Sequence, residues 1–153
     1  MPMNVSPFQR RPTGIEGLDR VLDGGLLNPG VYIVQGPPGA GKTILANHMC
    51  FNHASSGGRA LYVTLLAESH ARMLAHLRRL AFFNEELIPS SVYYIGGFRT
   101  LESAGLEALV TLIRGSIQKH KASLLVIDDW SAVQAAAPSE VALKKFVHGH
   151  HVR

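Results

Sequence analysis

The chain has 153 residues, of which 46% are hydrophobic and 17% charged, the size and balance of one globular domain with room for a real core. Its formal net charge of +4 is scattered over Arg10-Arg11, Arg78-Arg79 and Lys144-Lys145, a solvated basic surface rather than a nucleic-acid stripe with interleaved aromatics. No stretch approaches the ~18 apolar residues that span a bilayer, residues 1–12 lack the apolar region of a secretory signal, and the single Cys50 excludes an internal disulfide and suits a reducing, cytoplasmic setting.

In chain order, residues 1–12 carry three prolines and no periodicity and read as an N-terminal arm. Ile15, Leu18 and Leu22 then fall at i, i+3, i+7, a short amphipathic helix ended by Gly24-Gly25. Asn28-Pro29-Gly30 is a turn into Val31-Tyr32-Ile33-Val34, an apolar, β-branched run expected to be a buried strand. After a glycine-rich segment, Leu45/Met49 and Ile44/Phe51 have helical spacing, and Ser56-Gly57-Gly58 stops that helix. Cys50 on it reads as a packing thiol.

Residues 60–66 form a second apolar strand. Ser69 then caps a helix running to about Phe82, with Met73, Leu77 and Leu80 on one face. Residues 84–91 are a loop, and Val92 to Ile95 is a short strand closed by Gly96-Gly97. Thr100 is the expected cap of a longer helix through His120, along which Leu106, Leu109, Val110, Ile113 and Ile117 recur at helical spacing. Leu124 to Ile127 is a buried-type strand ending in Asp128-Asp129. Residues 135–138 read as a linker, Ser139 as the cap of a last helix through Val147, and residues 148–153 as a tail. His148, His150 and His151 belong to that solvated tail rather than to a metal site, and Trp130 is a packing residue rather than an adenine stacker. Alternating strands and helices, with strands apolar on both faces, predict an α/β fold: a parallel sheet covered by helices on both sides.

The segment Gly36-Pro37-Pro38-Gly39-Ala40-Gly41-Lys42-Thr43 fits G-x-x-x-x-G-K-[ST] at every fixed position, between a predicted strand and a predicted helix. A phosphate chain needs several backbone N–H donors converging on it, and glycine lets the backbone curl that closely. The helix that starts there adds the positive end of its dipole. Lys42 is the expected partner of the β- and γ-phosphates of ATP, and the Thr43 hydroxyl a ligand of Mg²⁺.

Two strand ends supply acids. Asp128 closes the last apolar strand, at the carboxyl end where parallel sheets bind ligands, and is the expected second oxygen for Mg²⁺. Glu68 closes the strand after the P-loop helix. Its place fits a general base for an attacking water, and equally a first-turn helix residue favoured by the dipole. Asp129 is a rival base whose side chain is one methylene shorter.

Taken together, Thr13-Gly14-Ile15, Leu18-Asp19, Gly24-Gly25-Leu26, Gly30, the P-loop, Leu61 to Thr64 with Glu68-Ser69, and Leu125 to Asp128 resemble the RecA/KaiC-like family of P-loop ATPases over about residues 13–147. The resemblance implies a RecA-type core that binds ATP and Mg²⁺ and assembles into homo-oligomeric rings or filaments with active sites between subunits. It also implies Lys42 and Glu68 as catalytic residues, Glu68 taking precedence over Asp129. Where KaiC carries paired glutamates, Leu66-Ala67-Glu68 supplies one acid, the RecA arrangement. In relatives the strand after the magnesium aspartate inserts between that strand and the P-loop strand. This sequence reaches Val147 before any such strand, so the expected domain is an incomplete one with C-terminal strands missing and two unpaired sheet edges. The expected function is ATP hydrolysis with Mg²⁺, as an ATPase of the full-length family kind. The alternatives are a nucleotide-binding regulatory module without significant hydrolysis and a recombinase-like DNA-binding ATPase.

Overall fold

The computed structural model describes residues 8–67 and 69–149. Strand β1 (Gln9–Arg11) pairs antiparallel with β2 (Leu26–Asn28), and helix α1 (Glu16–Val21) lies between them in sequence. Part of the expected arm is therefore ordered against the chain, and Arg10 fixes it by donating from one guanidinium nitrogen to the carbonyl oxygens of Leu22 (2.9 Å) and Gly25 (3.1 Å). The Thr-Gly-Ile…Leu-Asp segment has a local job. The Asp19 carboxylate accepts from the Thr13 hydroxyl (2.7 Å), the Thr13 amide (2.7 Å) and the Gly14 amide (3.3 Å), closing the turn that starts α1. Asn52 then donates to the Pro12 carbonyl (3.2 Å), tying this turn to the following helix.

That helix, α2 (Lys42–Ser55), leads through Gly57-Gly58 into β3 (Ala60–Thr64), the middle strand of a parallel three-stranded sheet. The order is β4 (Val92–Gly96), β3, β5 (Leu124–Asp128), in register so that Thr64, Gly96 and Asp128 end together at one rim. All five residues of β3 are buried. Alternation along the strand divides them between two cores. Leu61 and Val63, with Leu65 just after the strand, pack with Leu101, Leu106, Leu109, Ile113 and Ile117 of α4 (Phe98–His120). Ala60 and Tyr62 pack with Cys50, Phe51 and Ala54 of α2. Helices thus cover both faces of the parallel sheet, the α/β architecture expected.

Several elements differ from expectation. Val31 to Val34 form no strand and are each about half exposed (48–54%). An extended segment is buried only when a ladder holds it, and among the described residues no strand lies beside it. Among the described residues β5 is an edge of the sheet. Helix α3 (His70–Leu77) stops short of Phe82, where turns take over. Helix α4 begins at Phe98 rather than after a Thr100 cap, and breaks at Gly105, whose φ of 86° and ψ of −174° suit only glycine. Part of the expected linker is helix α5 (Trp130–Ala136), where Trp130 packs against Phe146 with ring centroids 6.0 Å apart. Ser139 does cap α6 (Glu140–Gly149), its hydroxyl accepting from the Ala142 amide (3.1 Å). His150 and His151 lie outside the described residues. Among the described residues, no helix is long and apolar enough to cross a membrane.

The Thr13 hydroxyl, the Thr13 amide and the Gly14 amide favour the charged form of Asp19 and hold its carboxyl below the ordinary value of 3.8, against a smaller opposing effect of burial. Because the folded carboxyl is the more acidic, its stabilisation is present above pH 3.8 and is lost as pH falls through the lower folded value. Asp19→Asn is accordingly expected to lower the thermal midpoint at pH 7, with the gap to wild type closing below about pH 3.8. Thermal scans across pH check this, and a gap independent of pH contradicts it.

Candidate functional site

The loop between residues 36 and 41 is exposed and delivers its last residues into a helix. Gly39 and Gly41 both have positive φ (81° and 96°), and Gly41 is the N-cap of α2. A side chain at either position would be strained, so the curl of the loop depends on them. Lys42 reaches back over the loop, its Nζ donating to the carbonyl oxygens of Gly36 (2.6 Å) and Pro37 (3.0 Å). The ammonium, the loop amides and the amino end of α2 therefore share one place, an arrangement suited to an anion.

One residue further, Thr43 meets the sheet. Its Oγ1 donates to Asp128 Oδ2 at 2.9 Å, across 85 positions of sequence. Strand parity makes the meeting possible. Leu124 and Val126 of β5 pack on the α2 side with Tyr62, whereas Leu125 and Ile127 pack on the α4 side. Asp128 continues the α2-side series and so faces Thr43. Asp129 has the other parity, sits in a left-handed turn (φ 80°) as the N-cap of α5, and accepts from the Ser131 hydroxyl.

The site rests on two tyrosines that sequence reasoning missed, Tyr62 buried and Tyr94 partly buried. Tyr62 is fully buried, and its hydroxyl donates to Asp128 Oδ2 at 2.6 Å, the oxygen that Thr43 also uses. Burial and then the Asp128 carboxylate push the Tyr62 hydroxyl far above its ordinary value, so it stays protonated and a donor. Tyr94 lies beside it, ring centroids 5.3 Å apart, and donates to Asn47 Oδ1 at 2.6 Å. The fully buried Asn47 in turn donates to the Thr43 carbonyl at 2.8 Å. A polar seam thus runs between α2 and the sheet and holds Thr43 at both its hydroxyl and its carbonyl. The signal for it was in the sequence: a tyrosine within an otherwise apolar strand must find a partner for its hydroxyl.

Beside the pair opens a cavity of about 380 Å³, lined by Thr43, Thr64, Leu66, Ser69, His70 and Asp128 among others. His70 Nε2 and Thr64 Oγ1 are 2.7 Å apart on its wall. Glu68 lies outside the described residues, while Leu66 and Ser69 on either side of it belong to the lining. Cys50 is fully buried, and burial pushes its thiol up to about 12, so it packs rather than reacts.

The donor set agrees with a hard divalent cation. Mg²⁺ keeps most of its waters and takes one or two protein oxygens together with substrate phosphates, and a hydroxyl and a carboxylate 2.9 Å apart beside a loop of this shape fit that requirement.

The family model described as "ATPase: KaiC" matches residues 11–149, almost the whole chain. The chain belongs to the RecA/KaiC-like ATPase family. It is 32% identical over 120 residues to the DNA repair protein RadA of Aquifex aeolicus, covering 78% of this chain and 23% of that protein. To the circadian clock oscillator protein KaiC of Synechococcus elongatus it is 29% identical over 140 residues, covering 92% of this chain and 26% of that one. A shorter stretch of 53 residues is 49% identical to RadA of Mycobacterium tuberculosis, covering 35% of this chain and 11% of that protein. The chain therefore spans about a quarter of the length of its broader matches, or less.

The seam also has a structural cost when broken. Asn47→Ala leaves the Tyr94 hydroxyl without its partner and a void beside α2, so the unfolding free energy is expected to fall by about 1–3 kcal/mol. Urea denaturation measures this, and an unchanged midpoint contradicts the role given to Asn47.

Proposed function

We propose that this chain is the nucleotide-binding core of an ATPase that binds ATP on residues 36–43, holds Mg²⁺ between Thr43 and Asp128, and hydrolyses the γ-phosphate bond. The observation that carries the reading is the hydrogen bond from Thr43 to Asp128 at the amino end of the P-loop helix. It joins the two oxygens that a nucleotide-bound magnesium ion needs, at the sheet rim where parallel sheets take ligands.

In this reading the N–H groups of Gly36, Gly39 and Gly41 and the dipole of α2 bind the phosphate chain, with Pro37, Pro38 and Ala40 shaping the loop. Lys42 exchanges its contacts with the Gly36 and Pro37 carbonyls for phosphate oxygens and stabilises negative charge that grows during transfer. Bound Mg²⁺ supplies further neutralisation of the β- and γ-oxygens. Glu68, placed by sequence at the end of the strand after α2, orients the attacking water and takes its proton. Phosphoryl transfer leaves little covalent work for the protein, so positioning and charge carry most of the rate. Assembly into a homo-oligomer, with ATP bound between subunits, belongs to the same reading and rests on the family alone.

Lys42→Ala is expected to reduce ATP turnover by at least ~10²-fold, the scale of removing one transition-state donor. Phosphate release under saturating ATP and Mg²⁺ reads this out. Turnover equal to wild type would reject the assignment of Lys42, and ATP binding with no wild-type turnover would leave a nucleotide-binding module in place of an ATPase.

A further inference from the structure

The loop, lysine, threonine and aspartate account for nucleotide and metal, but they leave unexplained why a fully buried tyrosine lies in the middle of the central strand with its hydroxyl on the same aspartate oxygen. We propose that Tyr62 is a positioning residue that sets how tightly the Thr43–Asp128 pair grips a divalent cation. The inference rests on the ATP and Mg²⁺ reading above and deepens it.

The geometry is specific. Asp128 Oδ2 accepts two hydroxyls, Tyr62 at 2.6 Å and Thr43 at 2.9 Å. With Oδ2 committed to both, the rotation of the carboxylate is fixed, and Oδ1 is the oxygen these two bonds leave for a water of the ion. Tyr62 cannot drift. It is fully buried, packs with Cys50, Phe51 and Val92, and lies against Tyr94. The Thr43 hydroxyl is less constant, because a cation would draw on its oxygen. Tyr62 is then the contact that keeps Asp128 in place during binding. Groups that orient a metal ligand from behind typically change metal affinity by 10–100-fold when removed. Tyr94 offers an internal comparison, since it supports Thr43 through Asn47 and does not touch the carboxylate.

The test uses the full chain saturated with ADP and titrated with Mn²⁺, free Mn²⁺ being followed by electron paramagnetic resonance. Tyr62→Phe is expected to weaken Mn²⁺ binding about tenfold, while its affinity for ADP without divalent cation stays within about twofold of wild type. Tyr94→Phe loses thermal stability as Tyr62→Phe does, but keeps Mn²⁺ affinity within about threefold. Mn²⁺ binding by Tyr62→Phe equal to wild type overturns the proposal, and so does equal weakening in both variants, which would mark a general packing effect. If Tyr62→Phe does not fold, the chain grown with 3-fluorotyrosine replaces it. One fluorine resonance that persists in Tyr32→Phe, Tyr93→Phe and Tyr94→Phe is expected to move when Mg²⁺ is added to the ADP complex, and its failure to move overturns the proposal. A wild-type chain that binds neither ADP nor Mn²⁺ rejects the ATPase reading and this inference with it. A wild-type chain that binds both, with Tyr62→Phe unchanged, rejects this inference alone.

Discussion

One hydrogen bond, from the Thr43 hydroxyl to the Asp128 carboxylate, joins the amino end of the P-loop helix to the rim of the sheet. Its two residues come from distant parts of the chain, so it forms only when α2 lies on the correct face of a sheet in the correct register. The parallel pairing that places Thr64 opposite Asp128 and the packing of Cys50, Phe51 and Ala54 against Tyr62 are what bring it about. Packing here does chemical work: a shift of β5 by one residue would turn Asp128 to the α4 side and present Asp129 instead.

The central strand shows how one stretch serves stability and the site together. Leu61 and Val63 on one face bury against α4, each worth ~1.5–3 kcal/mol of transfer free energy. On the other face the alternate positions carry Tyr62 and Thr64, whose hydroxyls reach Asp128 and His70. A buried polar side chain costs stability unless its hydrogen bonds are met. Both hydroxyls have partners, which makes the α2 side of the sheet polar near the rim and apolar farther down.

Much of this was legible in the sequence, and the reasons differ by element. The P-loop was readable because its fixed glycines and lysine are demanded by phosphate geometry. Asp128 was readable because an acid directly after four aliphatic residues marks a strand end. The strands β3, β4 and β5 followed from short apolar runs bounded by polar residues and glycine. Val31 to Val34 misled because a β-branched run reports the tendency to pair, while pairing itself needs a neighbour that no described residue provides. The helix boundaries at Phe98 and Leu77 were misjudged because tertiary contacts, such as Leu101 and Leu77 in the core, override local capping signals. The tyrosine seam was invisible to periodicity, since Tyr62 and Tyr94 look like ordinary strand aromatics until the register sets them beside Asp128 and Asn47.

The most direct measurement is a double-mutant cycle with Thr43→Val and Asp128→Asn, read as the gain in ATP affinity on adding Mg²⁺. If the two oxygens hold one ion, each single substitution removes most of that gain, the double variant is little worse than either, and the coupling energy is at least ~1 kcal/mol. Losses that simply add would contradict a shared cation, and with it the account of this site.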